Sequence, residues 1–193
     1  MGCYRSLGLG LNRIADFLQT EKGVDGRRLM VFGHSRLGKT ALWAAASDAR
    51  WALVVSNESG EGGAALSKRD FGETVAIINA KFPWWFSPVY KSYGSNVAAM
   101  PVDQPMLLGL MAPRPLYVAS AAEDLNSDPK GEFLGAQGAG VVYGLYGKRG
   151  LAAGICRGWS IRWGMWSGII SAAGSIIFYY MTGSSIWILR IVW

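Results

Sequence analysis

One stretch of the sequence, RLMVFGHSRLGKTALWAAAS at residues 28–47, decides the fold. Its first five residues, 28–32, form an apolar run that predicts a buried strand. The run enters a turn at residues 33–38, and the alanine-rich stretch at 39–47 predicts a helix. A strand that passes through a glycine-flanked turn directly into a helix is typical of folds in which strands and helices alternate.

The same alternation is found on both sides of this stretch. Apolar residues at helical spacing predict a helix at 7–20, ahead of the first strand. A second buried strand is predicted at 51–56, and a third at 116–120 follows a predicted helix at 103–111. This order favours an α/β fold, with a parallel sheet covered by helices on both faces. Three strands are too few for a complete α/β domain, so we expect an incomplete sheet that lacks its N-terminal half.

A serine lies at the centre of the glycine-flanked turn, in the sequence GHSRLG at residues 33–38. This pattern is G-x-S-x-G with one residue inserted before the second glycine. Glycines beside a nucleophile let the strand and the helix pass closely, and the turn exposes the hydroxyl at the carboxyl edge of the sheet. Ser35 is therefore a candidate nucleophile, although an ordinary N-cap serine fits the same residues.

Several motifs occur in order along the chain, namely GHSRLGKTA at 33–41, NESGEGG at 57–63, FGE at 71–73, APRP at 112–115 and DPKGEF at 128–133. Together they resemble the glucuronoyl esterase family. This family consists of serine-type α/β-hydrolases that cleave the ester between glucuronic acid on xylan and lignin alcohols. The resemblance implies a partial α/β-hydrolase domain over residues 1–154, acting on 4-O-methyl-glucuronate esters without a metal or a cofactor.

The resemblance assigns roles to four residues of the predicted site. It implies that Ser35 forms the acyl-enzyme and that Arg36 helps to hold the oxyanion, because its guanidinium charge is fixed. Lys39 and Glu73 correspond to ligands of the sugar hydroxyls. A solvated position on a helix surface is the alternative for both of these charged residues, and an ordinary surface arginine is the alternative for Arg36.

The family places the acid of its catalytic triad in one of two positions, and this chain has an acid at both. Glu58 follows the second predicted strand and Asp124 follows the third, so both should reach the edge where Ser35 lies. Either carboxylate could orient a histidine.

The family's tryptophan shortly after the second acid is absent, since the chain has Asn126 in that region. A related α/β-hydrolase acting on another ester is therefore an alternative.

A catalytic base is missing from the residues just named. The only histidine of the chain is His34, which is adjacent to Ser35 and whose side chain we expect to point away from the serine. We predict a structural role for it. As written, the chain is therefore expected to be inactive.

The C-terminal region differs in composition from residues 1–154. No Asp or Glu follows Glu132, and five of the nine tryptophans follow Gly154. Read in the alternative frame, the codons for residues 168–183 permit Tyr-His-Leu-Arg, Gly-Lys-His and Tyr-Asp-Trp, with the Asp forced. These segments resemble the part of the family that carries the catalytic histidine. We interpret residues 155–193 as an apolar tail that is out of frame from about Gly154.

A membrane anchor is the alternative interpretation of this tail. Residues 164–189 carry no charge, and a helix of that length would extend about 39 Å at ~1.5 Å per residue, enough to cross a bilayer. Many glycines and serines in the stretch argue against a spanning helix. A membrane is a partner only on this interpretation, which makes the protein a non-catalytic one.

Charge and composition exclude one further class of partner. The chain of 193 residues has a formal net charge of +6, but no basic run interleaved with aromatic residues, so we predict no nucleic-acid binding. The N-terminus lacks the basic stretch and long apolar core of a signal peptide. The resemblance implies a secreted or periplasmic parent enzyme, and the sequence assigns no compartment to the chain itself.

Overall fold

In a computed structural model of the chain, residues 2–150 are described, together with the backbone of two short strands in the C-terminal region. The helices are α1 Cys3–Leu18, α2 Arg36–Ser47, α3 Val75–Lys81, α4 Pro88–Ser92, α5 Gln104–Gly109 and α6 Pro129–Leu145. The strands are β1 Leu29–His34, β2 Trp51–Asn57, β3 Leu116–Ala119, β4 Ile176–Ile177 and β5 Arg190–Ile191. Three 3-10 turns are found at Ser67–Arg69, Val97–Ala99 and Leu125–Ser127.

Strands β1, β2 and β3 form a parallel sheet in that order. His34 at the end of β1 is in register with Asn57 of β2, which is in register with Ala119 of β3. The carboxyl ends of all three strands therefore lie at one edge of the sheet. The predicted α/β class and the incomplete parallel sheet are confirmed.

Both faces of the inner part of this sheet are buried. Val31, Val54 and Val118 belong to an apolar cluster that includes residues of α1, α2, α5 and α6. The residues that alternate with them on β2 and β3 form a second buried cluster, composed of Leu53, Val55, Tyr117 and Ala119. Strand β1 lies at the edge of the described sheet, where Phe32 remains 61% exposed.

Helix α6 has no counterpart among the predicted elements. It is rich in glycine, which is unfavourable in helices, and its residues show no clear helical periodicity. Close packing explains why it forms: a Cβ atom on Gly135 would lie 2.1 Å from the carbonyl oxygen of Ala64. Tertiary contact therefore outweighs local propensity at α6.

The predictions for the tail fall largely outside the described residues. This applies to the out-of-frame interpretation of 155–193 and to the alternative spanning helix at 164–189, within which the structure describes only the extended pair Ile176–Ile177. That pair is antiparallel to Arg190–Ile191. None of the helices in the described residues combines the length and the apolar composition that a bilayer crossing requires.

One half-buried arginine ties together the ends of three elements. The guanidinium group of Arg114, just before β3, donates hydrogen bonds to four carbonyl oxygens at distances of 2.9–3.2 Å. These carbonyls belong to Ala45 of α2, Asp48, Trp51 at the start of β2 and Leu110 after α5. Burial lowers the pKa of Arg114. The planar fork of donors suits this arrangement better than a single ammonium group would.

We expect Arg114→Lys to lower the free energy of unfolding by about 2–3 kcal/mol, because carbonyl groups, most of them partly buried, lose charged donors. Urea denaturation followed by circular dichroism measures the change. Arg27→Lys is the matched control, since the Arg27 side chain is 91% exposed. An equal effect of the two substitutions would contradict the role given to Arg114.

Candidate active site

Ser35 occupies a strained turn between β1 and α2. Its φ of 53° lies in the left-handed region, which non-glycine residues rarely adopt. Ser35 occupies the N-cap position of α2, but the residue is exposed and its side chain makes no capping hydrogen bond. The backbone N–H donates to the carbonyl oxygen of Asn57 at 2.8 Å. This bond fixes the turn to the end of the neighbouring strand.

Gly33 makes the turn sterically feasible. A Cβ atom at this position would lie 1.9 Å from the carbonyl oxygen of Leu37, inside any permitted contact distance. Strand and helix backbones therefore cross at a distance that only glycine allows. The predicted geometry of the GHSRLG turn is the geometry that the structure shows.

A cavity of about 530 Å³ opens beside Ser35. It is lined by four residues of the predicted site, namely Ser35, Arg36, Lys39 and Glu73. Its remaining lining consists of His34, Leu37, Phe82, Trp85 and Asn126. The volume lies within the range of roughly 300–1,000 Å³ that is usual for small-molecule sites. The two candidate acids, Glu58 and Asp124, do not line this cavity.

Lys39 is a buried cation beside the cavity. Its Nζ donates to the carbonyl oxygen of Ser59 at 2.6 Å. Burial lowers the pKa of Lys39, and the nearby carboxylates, Glu73 first among them, act in the opposite direction. Because Lys39 is buried, the alternative of a solvated surface charge does not describe it.

Glu73 has a cationic neighbour, since its Oε1 lies 3.5 Å from Lys81 Nζ.

Glu58 follows the last residue of β2. Its φ of 46° is also left-handed, and its N–H donates to the carbonyl oxygen of Ala119 at 2.7 Å. Burial raises the pKa of the Glu58 carboxyl, and the negative charge of Asp124 raises it further. Glu58 follows β2 and Asp124 follows β3, and these strands are parallel neighbours, so both acids lie beyond the carboxyl edge of the sheet.

Asp124 has local partners for its carboxylate. Its side chain caps the 3-10 turn Leu125–Ser127 and accepts a hydrogen bond from Ser127 Oγ at 2.6 Å.

Within the described residues, no group of three or more His, Cys, Asp or Glu side chains is arranged to hold a metal ion.

His34 contacts the end of the neighbouring strand. Its Nδ1 lies 2.8 Å from Asn57 Nδ2 and 3.5 Å from Glu58 Oε2. Because an amide NH₂ donates, Nδ1 accepts from Asn57 in the neutral ring and interacts with the carboxylate as a cation only when protonated. These contacts fit the predicted structural role.

Phe82 and Trp85 are site residues that the sequence prediction missed. Their rings are stacked, with centroids 3.7 Å apart and planes 6° apart, and both line the cavity. Trp85 also packs edge-on against Tyr4 of α1 at 5.3 Å. They lie in a loop where no periodicity points to them, and the aromatic density of FPWWF at residues 82–86 is the one available signal.

Comparisons with known proteins agree with this geometry. The family model described as "Glucuronyl esterase, fungi" matches residues 1–147. A carbohydrate esterase from an unknown prokaryotic organism is 50% identical over 152 residues, which cover 79% of this chain and 35% of that protein. The chain therefore spans about a third of the length of this relative.

Two solved structures are similar to the described fold. The glucuronoyl esterase from Solibacter usitatus gives a TM-score of 0.74 at 53% identity, over 77% of this chain and 38% of that one. A mutant glucuronoyl esterase from Sporotrichum thermophile, in complex with methyl 4-O-methyl-β-D-glucopyranuronate, gives 0.69 at 30% identity, over 76% and 42%. The matched region contains the turn, the cavity and both acids, and the chain belongs to the glucuronoyl esterase family.

Proposed function

We propose that this chain carries the nucleophile and substrate-binding part of a serine-type carboxylic ester hydrolase. Its substrates are 4-O-methyl-glucuronate esters of the kind that link xylan to lignin alcohols. The observation that supports this most directly is the strained, exposed Ser35 beside a cavity with a buried cation. Family membership and the ester bound by the Sporotrichum thermophile relative support the same assignment.

The reaction follows from the placement of Ser35. Its Oγ attacks the ester carbonyl carbon, the bond to the alcohol oxygen breaks, and an acyl-enzyme forms that water then hydrolyses. Negative charge develops on the carbonyl oxygen next to the first turn of α2. The N–H groups of that turn and the guanidinium of Arg36 stabilise this charge.

The polar residues of the cavity suit a sugar acid. Lys39 supplies an ammonium group and Glu73 a carboxylate, so hydroxyl groups can both accept and donate hydrogen bonds there. Because Lys39 is already buried and held by Ser59, little side-chain ordering remains to be done when a ligand binds.

The step that this chain lacks is removal of the Ser35 proton. His34 is the only imidazole, and its Nδ1 contacts Asn57 and Glu58. Without a base, the Ser35 hydroxyl stays protonated near neutral pH and is a weak nucleophile. We propose that the chain as written is inactive and that a corrected frame after about Gly154 supplies the missing histidine near position 176.

We expect a full-length, frame-corrected version to hydrolyse methyl or benzyl glucuronate, while the present chain shows at least ~10³-fold lower turnover. Ser35→Ala should abolish the activity of the corrected version. Ser95→Ala, at an exposed position outside the cavity lining, is the matched control. Ser35-dependent turnover by the uncorrected chain at a comparable rate would show that no further base is needed.

We propose Glu58 rather than Asp124 as the acid that orients this histidine, because Ser127 already donates to the Asp124 carboxylate. In the corrected enzyme, Glu58→Gln should lower kcat about 100-fold more than Asp124→Asn does. The reverse order would assign the role to Asp124.

The two acids also make an electrostatic prediction that needs no turnover. The negative charge of Asp124 helps to raise the pKa of Glu58, so Asp124→Asn should move the Glu58 titration to lower pH. Carboxyl ¹³C NMR of the present chain measures this. Asp70→Asn is the matched control, because it also removes one negative charge but does so at an exposed position. An unchanged Glu58 titration in Asp124→Asn would mean that the two carboxylates do not interact.

A second candidate is an esterase that acts on a different ester. The observation in its favour is Asn126, which lines the cavity in the region where the family has a tryptophan. If glucuronate is the acid, the corrected enzyme should prefer methyl glucuronate to p-nitrophenyl acetate by at least about tenfold in kcat/KM. Equal activity on both esters would favour the second candidate.

A further inference from the structure

A fully buried carboxylic acid lies beneath the candidate site without lining its cavity. Glu132, in the first turn of α6, is 0% exposed. Its Oε1 accepts hydrogen bonds from Ser59 Oγ at 3.1 Å and from the backbone N–H of Gly60 at 2.9 Å. Its Oε2 is hydrogen-bonded to Ser120 Oγ. The mechanism above uses none of these groups.

The partners of Glu132 come from two separate segments. Ser59 and Gly60 directly follow Glu58 at the end of β2, whereas Ser120 directly follows β3 on the way to Asp124. One carboxyl group therefore links the two segments that carry the candidate acids. The segment after β2 also holds another part of the site, because the carbonyl oxygen of Ser59 accepts from Lys39 Nζ.

Burial works against a charge on the Glu132 carboxyl group, which is fully buried. Burial raises the pKa of Glu132 to about 7, and its hydrogen bonds from Ser120, Gly60 and Ser59 act in the opposite direction. A protonated carboxyl group is both donor and acceptor, so it can donate to Ser120 Oγ while its other oxygen accepts two bonds. A glutamine amide has the same donor and acceptor pattern.

We propose that Glu132 is a positioning residue, whose carboxyl group fixes the segment after β2 against the segment after β3 and so places Glu58 relative to His34. The catalytic consequence of this placement rests on the proposed function. The placement itself can be tested in the present chain without turnover.

His34 provides a reporter of the position of Glu58. It is the only histidine in the chain, so its imidazole gives a single set of ring signals. Its Nδ1 lies 3.5 Å from Glu58 Oε2, close enough for a displacement of that carboxylate to change the ring signals. Glu132 is fully buried and hydrogen-bonded to Ser59, Gly60 and Ser120, so we expect its substitution to act on His34 through the segment after β2, which begins with Glu58.

The experiment compares ¹H–¹⁵N spectra of the His34 ring in the present chain and in its variants. We expect Glu132→Ala to shift the ring signals, and Glu132→Gln to leave them close to the original positions. Glu21→Ala and Glu21→Gln, at an exposed position after α1, are the matched controls and should shift nothing. Unchanged His34 signals in a folded Glu132→Ala variant would overturn the proposal.

Ser120→Ala keeps the test decisive if Glu132→Ala does not fold. This variant removes the single hydrogen bond to Oε2 and leaves both bonds to Oε1 in place. The His34 signals should shift in the same direction, by a smaller amount. No shift in a folded Ser120→Ala variant would also overturn the proposal.

The frame-corrected enzyme separates this inference from the proposed function. In the frame-corrected enzyme, Glu132→Ala should lower kcat with little change in KM. Glu132→Gln should keep kcat close to that of the corrected enzyme without this substitution. If the corrected enzyme shows no Ser35-dependent turnover, the proposed function fails, while the His34 spectra still decide the role of Glu132. If turnover is present and Glu132→Ala leaves both kcat and the His34 signals unchanged, only the positioning role fails.

Discussion

The close crossing of β1 and α2 at Gly33 is the constraint on which the rest of the site depends. A side chain at Gly33 would overlap the Leu37 carbonyl group, so the helix could not start directly after the strand. That start places Ser35 at the N-terminus of α2 with a positive φ of 53°. The bond from Ser35 N–H to the Asn57 carbonyl oxygen then relates the candidate nucleophile to β2, which Glu58 directly follows.

Charge in the site is arranged around buried groups that each have defined partners. Lys39 has the Ser59 carbonyl oxygen, and Glu132 has two serine hydroxyls and one backbone N–H. Removing a polar group from water without a partner costs several times more than a hydrogen bond gains. Because Ser59 contacts both Lys39 and Glu132, the cation beside the cavity and the acid beneath it depend on the same loop.

Sequence patterns could predict the parts of the molecule that local chemistry specifies. The apolar runs placed three strands to within one or two residues, and the glycines around Ser35 predicted the turn and its exposed hydroxyl. Phe82 and Trp85 could not be found in this way, since their approach to Ser35 depends on packing against Tyr4 of α1. Glu132 was equally hidden, because a glycine-rich helix gives no signal that one of its acids will be buried by distant loops.

The hydrogen bonds of Glu132 also bear on the order in which the protein folds. Two of them join residues that are 72 and 73 positions apart in the sequence. Contacts between residues so far apart in the sequence form only after the intervening chain has lost much of its conformational freedom. We therefore expect them to form late and to slow folding. The strand–turn–helix unit at Ser35 is local and can form early. We therefore expect the turn at Ser35 to form before Glu58 and Asp124 reach their final positions, so that the candidate site is completed from the serine outward.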